Sequence, residues 1–246
     1  MSEPLISLYH CTARPHEWDR ACRIFRSYAD HPERCEYVMG IHRRQNEIPG
    51  SESLIFCDYY RECTRKLMEI WPQQWILSVN PGKPNNVQNI NHCGAHTSGK
   101  VIVPVGDFLR PCRHWDSILL EKIPDLELPY MVAFGHGNYL RDSWIVTWAI
   151  VTRAFYEKLG YLAWPEYTHY GCDDDLTLIA KREGCIIEAP DVQWPYLHWF
   201  NGMRQSDSLD SHTRQSGAWQ VKEEVFARRK TYNFEGKVVY GCHPAK

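Results

Sequence analysis

The chain has 246 residues, 43% of them hydrophobic, and a formal net charge of −2 at pH 7. That is enough for one α/β domain, and the balanced charge excludes nucleic-acid binding through a global basic excess. No stretch approaches the ~20 apolar residues that span a bilayer, and the ten cysteines form no CxxC pair, which disfavours a structural zinc site. We expect an intracellular, cytoplasmic protein with reduced thiols and no membrane partner.

The first half of the chain alternates apolar runs with helical patterns. Strands are predicted over residues 5–11, 36–41, 74–79 and 101–105, and helices over residues 18–28, 58–71 and 87–96. Breakers such as Pro15 and Pro72 separate them. Strands that alternate with helices predict an α/β fold with a mainly parallel sheet, whose ligands bind at the carboxyl ends of the strands.

The second half of the chain is less regular. Its sequence predicts a mobile polar tail over residues 201–217. No repeat, low-complexity tract or linker is found, so we expect a single domain over residues 1–246. The pattern predicts strands over residues 130–134 and 185–188, and helices over residues 152–159, 173–182 and 222–230.

Asp107 follows directly on the predicted strand 101–105. A carboxylate at this position has a firmly held backbone and oxygens at the edge of the sheet. That placement suits Mg²⁺ or Mn²⁺, which bind carboxylate and substrate phosphate oxygens together. An aspartate that caps the following turn has the same signature, so both interpretations stay open.

Three adjacent carboxylates, Asp173 to Asp175, open a predicted helix directly after Gly171 and Cys172. The helix dipole and its free N–H groups favour acids there, and one of them can be a plain N-cap. Another, placed in a cleft, could take a proton from an attacking hydroxyl. We take Asp173 and Asp174 as the candidates for a catalytic base.

Two further segments carry candidate ligands. His198 lies in the aromatic stretch WPYLHW and is either a packed residue or, if it folds back towards Asp107, a metal ligand. Amides and Lys83 lie on the loop NPGKPNNVQNIN over residues 80–91, where they can bind base, ribose and phosphate. The sequence contains no GxxxxGK[ST], GxGxxG, GxSxG or HExxH motif, which disfavours nucleoside triphosphatases, nicotinamide enzymes, α/β-hydrolases and zincins.

In this order, residues 5–199 resemble the nucleotide-diphospho-sugar transferase (GT-A) fold, and glycosyltransferase family 2 in particular. ISLYHCTARP, from Ile6, looks like the family's opening strand and its T-x-R-P-like nucleotide loop. GKPNNV, from Gly82, resembles its GK-x-x-A-x-N helix, and VIVPVGD, from Val101, is similar to the strand that carries the metal-binding D-x-D. TRAFYEKLG, from Thr152, resembles the acceptor-side helix, and GCDDDL, from Gly171, resembles the G-x-E-D-x-E-L segment that holds the catalytic base.

The chain departs from the family pattern in two places. The D-x-D is reduced to Val105-Gly106-Asp107, which keeps the last acid only. The second strand ends in GIHR, from Gly40, where the family often has an aspartate that contacts the base. The Q-x-x-R-W motif of processive polysaccharide synthases is absent, which favours the transfer of single sugars.

The resemblance implies an inverting, metal-dependent hexosyl- or pentosyltransferase. Its donor would be a nucleoside-diphosphate sugar, with a UDP-sugar favoured, and its cofactor Mn²⁺ or Mg²⁺. It also implies a nucleotide-binding half over about residues 1–110, an acceptor half over about 111–200, and a C-terminal tail and helix over 201–246. The implied residues are Asp107 and His198 for the metal, Asp173 or Asp174 for the base, and Thr12, Ala13, Arg14, Lys83, Asn85, Asn86 and Gly106 for the donor.

The acceptor is left open between a glycan and modified DNA. Small enzymes of this kind occur in bacteriophage DNA-modification gene sets, where hydroxymethylated pyrimidines accept the sugar and the enzyme works in the host cytoplasm. Two other functions also stay open: a sugar nucleotidyltransferase, whose G-x-G-x-R loop is not found, and a non-catalytic nucleic-acid-binding module. Basic clusters that suit a phosphate backbone, or simply form a solvated face, are Arg43-Arg44, Arg110 with Arg113, and Arg228-Arg229-Lys230.

Overall fold

The computed structural model describes residues 3–12, 14, 17–48, 52–82, 85–135, 145–197, 205–215 and 217–236. The strands in these ranges are β1 Ile6–Cys11, β2 Cys35–His42, β3 Trp75–Asn80, β4 Val101–Val105, β5 Met131–Gly135, β6 Ile150–Thr152 and β7 Ile186–Gln193. The α-helices are α1 Trp18–Tyr28, α2 Phe56–Ile70, α3 Asn86–Gly94, α4 Trp115–Lys122, α5 Arg153–Leu159, α6 Cys172–Arg182, α7 Ser208–Gln215 and α8 Ala218–Thr231.

The strands form one seven-stranded sheet in the order β3-β2-β1-β4-β6-β5-β7. β1 pairs in parallel with β2 and β4, β2 with β3, and β5 with β7. Only the short β6 is antiparallel to its neighbours β4 and β5. The predicted α/β class with a mainly parallel sheet is confirmed, and β1 to β4 all end at the same edge.

Two apolar layers cover the two faces of the sheet. Along β4, Val101, Val103 and Val105 belong to one buried cluster and Ile102 to the other, because successive side chains of a strand point to opposite faces. Residues of α1, α2 and α4 pack in the first cluster. Residues of α5 and α6 pack in the second. All eight residues of β2 are buried, as expected for a strand covered on both faces.

The predicted elements agree with the structure to within two residues at most boundaries, with four exceptions besides the unpredicted α7. Helix α4 and the three-residue β6 were not predicted, β7 continues to Gln193 rather than ending at residue 188, and α8 begins at Ala218. Residues 201–217, for which the sequence predicts a mobile polar tail, contain α7 in their described part. There the backbone N–H of Asp207 donates to Asp210 Oδ2 at 3.0 Å, and that of Asp210 donates to Asp207 Oδ1 at 2.9 Å, so the two acids cap the helix reciprocally.

Helix α8 is anchored by a buried ion pair. The Arg229 guanidinium donates from Nε to Asp175 Oδ2 at 2.8 Å and from Nη2 to Oδ1 at 3.0 Å. The side chains are 4% and 0% exposed, so this arginine cannot belong to a solvated basic face. Its neighbour Arg228 pairs with Glu166 at the surface.

Of the helices in the described ranges, none combines the length and apolarity that a membrane span requires.

Arg229→Met should lower the free energy of unfolding by about 3–5 kcal/mol, because it leaves the Asp175 carboxylate buried and unpaired. The matched control Arg228→Met breaks an exposed pair and should cost about 0–1 kcal/mol. Urea unfolding followed by circular dichroism measures both. Equal losses in the two variants would show that the buried pair does not anchor α8.

Candidate active site

Polar residues collect where the parallel strands end. Thr12 follows β1, Asn80 ends β3, and Asp107 follows β4 after a single residue. All three are largely buried. The Asn80 side chain accepts from the Gly82 N–H at 2.9 Å, while its Nδ2 has no hydrogen-bond partner among the described residues. A buried amide donor without a partner suits a polar ligand at this edge.

Asp107 is held from behind by a buried hydrogen-bond chain. His10 Nε2 lies 2.9 Å from Asp107 Oδ1, and His10 Nδ1 lies 2.6 Å from the Tyr37 hydroxyl oxygen. Burial raises the pKa of Tyr37 far above its usual range, so its hydroxyl keeps its proton and can donate it to Nδ1. His10 Nε2–H then donates to the carboxylate. This chain fixes Oδ1 and leaves Oδ2 directed away from His10.

Arg14 joins the loop after β1 to α7. Its Nε donates to Asp207 Oδ2 at 2.7 Å, its Nη2 donates to Asp210 Oδ1 at 3.0 Å, and its Nη1 lies 3.6 Å from Asp107 Oδ2. The guanidinium also lies over the Phe108 ring, 5.2 Å from the centroid. The residue expected near the donor phosphates is therefore surrounded by three carboxylates, and it holds the C-terminal segment against the sheet edge.

The three acids at the start of α6 have different surroundings. Gly171 precedes them at φ 97°, and a Cβ there would lie 2.7 Å from Tyr167 and 2.9 Å from Lys222, so a side chain has no room. The Asp175 carboxylate forms the buried ion pair with Arg229. Asp174 Oδ1 lies 3.5 Å from Lys222 Nζ.

Asp173 has no direct cationic partner among the described residues, and the residue is partly exposed. Burial, reinforced by the charge of Asp174, raises its pKa from 3.8 to about 7, against an opposing effect of Lys222. A carboxyl group poised near neutrality is suited to general acid–base work.

The acids of α6 and the residues after β1 share one region. Burial raises the pKa of Tyr9 in β1, and the charge of Asp173 raises it further. Burial lowers the pKa of His169, just before α6, to about 4, and the charge of Arg14 lowers it further. Asp173 of α6 therefore acts electrostatically on β1, and Arg14, which follows β1, acts on a residue just before α6, so the two segments lie near each other.

The other residues predicted to bind the donor differ in burial and in their contacts. Asn85 is the N-cap of α3 and accepts from the Gln88 N–H at 3.1 Å, while Asn86, the first residue of α3, is half-buried. A Cβ on Gly106 would lie 2.4 Å from the Trp148 ring, so the indole covers this glycine. Ala13, Lys83 and His198 lie outside the described residues.

Sequence reasoning missed several residues of the site. His10 was set aside because it has no metal-ligand spacing, and Tyr37 was not considered, although a histidine in an apolar strand is itself a signal for a buried polar contact. No local sequence pattern marks the other three residues, because each pairs with a residue distant in sequence. They are Asp207 and Asp210, which pair with Arg14, and Lys222, which pairs with Asp174.

Asp107 fits a metal ligand, although the described ranges contain no cluster of three or more histidine, cysteine or acidic residues that could hold an ion by themselves. One of its oxygens is fixed by His10, and the other lies at the sheet edge. Mg²⁺ is often bound by one or two carboxylates, with substrate phosphate and water completing its shell. Val105, in the place of the first acid of D-x-D, is buried and apolar.

A scan of protein-family models and a search of the curated proteins found no match. Among solved structures, the chain is similar to the mannosyltransferase PcManGT from Pyrobaculum calidifontis in complex with GDP-Man and Mn²⁺, at 14% identity and a TM-score of 0.55, with 96% of this chain and 77% of that one covered. It is also similar to Mycobacterium tuberculosis glucosyl-3-phosphoglycerate synthase, at 12% identity and a TM-score of 0.58, with 95% and 82% covered. S. aureus TarS 1–349 aligns at 11% identity and a TM-score of 0.56, with 92% and 72% covered. The likeness confirms the predicted GT-A fold.

The raised pKa of Asp173 predicts a pH-dependent stability. Between its usual pKa of 3.8 and about 7, the folded chain holds a proton that the unfolded chain has lost, so this group's contribution is present at low pH and declines as pH rises to 7. Asp173→Asn, which cannot ionise, should be about as stable as the wild type near pH 4 and more stable near pH 8. Thermal unfolding across this range measures the difference.

The exposed Asp191→Asn is the control, because a hydrogen bond from Lys122 lowers the pKa of Asp191 and the pH effect has the opposite sign. A constant difference between Asp173→Asn and the wild type at every pH would contradict the raised pKa.

Proposed function

We propose that the protein is a glycosyltransferase that moves a sugar from a nucleoside-diphosphate sugar to an acceptor hydroxyl. The observation that carries the proposal is the Asp107 carboxylate, which His10 anchors where β4 ends on a GT-A sheet. Asp173, at the start of α6, supports it, because burial raises the pKa of this carboxyl group to about 7. The similar structures hold GDP-Man with Mn²⁺, or UDP with Mn²⁺ or Mg²⁺, which supports a nucleotide sugar and a divalent metal here too.

On this proposal the donor lies across the ends of β1, β3 and β4. Asp107 Oδ2, with His198, would hold Mn²⁺ or Mg²⁺, which when bound offsets the charge that develops on the leaving diphosphate. Arg14 lies beside Asp107 and shares its charge among the carboxylates of Asp107, Asp207 and Asp210. The residues proposed to hold the nucleotide and its phosphates are Thr12, Ala13, Arg14, Asn80, Lys83, Asn85, Asn86 and Gly106.

The chemical step needs a base on the acceptor side. Asp173 accepts the proton of the acceptor hydroxyl while that oxygen bonds to the anomeric carbon and the bond to the diphosphate breaks. In-line displacement of this kind inverts the configuration of the anomeric carbon. The charge of Asp174 helps to keep the pKa of Asp173 near neutrality, which suits a group that must take up a proton and later release it.

For the acceptor, the charge distribution favours a glycan over a hydroxymethylated base in phage DNA. Binding to a phosphate backbone needs free cations, and most of the basic clusters are engaged within the chain. The engaged groups are Arg44 with Glu47, Arg110 with the carbonyls of Asp107 and Leu109, Arg113 over the Tyr28 ring, Arg228 with Glu166, and Arg229 with Asp175. The same contacts weigh against a nucleic-acid-binding module.

Mn²⁺-dependent binding of UDP or GDP should disappear in Asp107→Asn, because the amide removes the charge that holds the metal. A nucleotide at 100 times its dissociation constant adds about 2.7 kcal/mol of stability, so a thermal-shift assay with and without Mn²⁺ resolves the loss. The exposed Asp125→Asn is the control and should respond like the wild type. An unchanged Mn²⁺-dependent shift in Asp107→Asn would rule out its metal role.

Asp173→Asn should lower turnover about 10²- to 10⁴-fold, the usual effect of removing a general base, while the donor still binds. Release of UDP or GDP from the matching nucleotide sugars measures turnover, and thermal shift measures donor binding. Wild-type turnover should rise with pH up to about 7, as Asp173 loses its proton.

Asp174→Asn is the matched comparison, and it should shift the pH dependence to lower pH rather than abolish turnover. Turnover at the wild-type rate in Asp173→Asn would exclude it as the base. Loss of donor binding in both variants would assign the acids a structural role.

A further inference from the structure

We infer that Trp219 of α8, with Tyr170 and Lys222, forms a subsite for the acceptor, and that this subsite takes the ring of a neutral carbohydrate. We call these three residues the Trp219 platform. The inference rests on the proposed glycosyltransferase function and deepens it, since it names the class of acceptor. It also assigns a part of the acceptor site to the C-terminal helix, outside the half of the chain to which the sequence assigned it.

The platform is an exposed aromatic surface held in place by its neighbours. Trp219 is 56% exposed, although tryptophan is highly buried on average. Its ring packs against Tyr170 at a centroid distance of 5.7 Å and an angle of 66°, and Tyr170 packs against His169 at 4.7 Å and 87°. A large aromatic side chain that is both exposed and fixed in orientation is typical of a binding surface.

Lys222 connects the platform to the candidate base. Its Nζ lies 4.4 Å from the Trp219 ring centroid and 3.5 Å from Asp174 Oδ1. The stem of the same lysine crosses Gly171, where a Cβ would lie only 2.9 Å from Lys222 Cγ. One ammonium group thus contacts both the ring and the acid next to Asp173. The Trp219 platform therefore borders the region of the residue proposed to deprotonate the acceptor.

The charges around the platform argue for a neutral occupant. The positive charge of Lys222 is offset by Asp174, and Asp173 lies next to it. Glu223 and Glu224 follow on α8 and are exposed. An acceptor that carries phosphate, nucleic acid included, would meet more negative than positive charge here.

A sugar ring fits the same surroundings. Its C–H face packs on an indole, and its hydroxyl groups donate hydrogen bonds to carboxylates, which are acceptors only when ionised. The combination of an aromatic ring with adjacent carboxylates therefore favours a neutral carbohydrate over a phosphorylated acceptor.

Binding is tested on the full chain with the methyl glycosides of glucose, galactose, mannose and N-acetylglucosamine as probes. Saturation-transfer NMR and titration should show that at least one glycoside binds the wild type, and that Trp219→Ala weakens it about tenfold. Trp219→Phe, which keeps an aromatic ring, should recover most of the affinity. Tyr232→Ala removes another exposed aromatic of the C-terminal region, 68% exposed, and should change nothing.

A turnover assay distinguishes a failure of this inference from a failure of the proposed function. The assay uses a nucleotide sugar that the wild type cleaves, and the glycoside that binds should accelerate release of the nucleotide. Trp219→Ala should raise the KM for this glycoside about tenfold. The slow transfer of the sugar to water, measured without glycoside, should be unchanged.

Three results would overturn the inference: no glycoside binding to the wild type, equal binding by Trp219→Ala, or acceleration only by a duplex oligonucleotide containing 5-hydroxymethylcytosine. Glycoside binding that depends on Trp219, without cleavage of any nucleotide sugar, would instead keep the carbohydrate site and refute the proposed transferase.

Discussion

Parallel strands have to end at the same edge of their sheet, and the polar edge of the candidate site depends on that constraint. Thr12, Asn80 and Asp107 are far apart in sequence, yet they follow or end three strands of one parallel group, β3-β2-β1-β4. A residue inside a strand also supports the site. His10, inside β1, reaches Asp107 beyond the end of β4 because β1 and β4 are neighbours in register, with His10 opposite Val105.

The cations of helix α8 give the three acids of α6 different electrostatic surroundings. Three adjacent carboxylates on one helical turn would repel one another if all were ionised. Arg229 neutralises Asp175 in the core, and Lys222 lies against Asp174, so Asp173 is the acid left to titrate near neutral pH. The arrangement separates a paired, buried acid from one with a pKa near neutrality within three residues, by means of cations about 50 residues further along the chain.

The sequence pattern was sufficient for the fold, because apolar periodicity is a local signal and the order of the motifs matches the GT-A fold. It was insufficient where stability comes from distant partners. Helix α7 lies in a polar segment and depends on Arg14, whose contact with Asp207 spans 193 residues. Arg229 looked like a surface cation because its partner Asp175 is not adjacent in sequence. The motifs pointed to Asp107 and Asp173, whereas His10 and Lys222 needed coordinates, since each is defined by what it contacts.

The pair between Asp175 and Arg229 also sets an order on folding during synthesis. During synthesis β1 to β4 are translated before α8, because they precede it in the chain. Helix α6 then carries a carboxylate whose counter-charge is still untranslated, and burying it alone is unfavourable. Asp175 can therefore be buried as a paired carboxylate only after Arg229 has been translated, so the packing of α6 is completed by the last described helix of the chain.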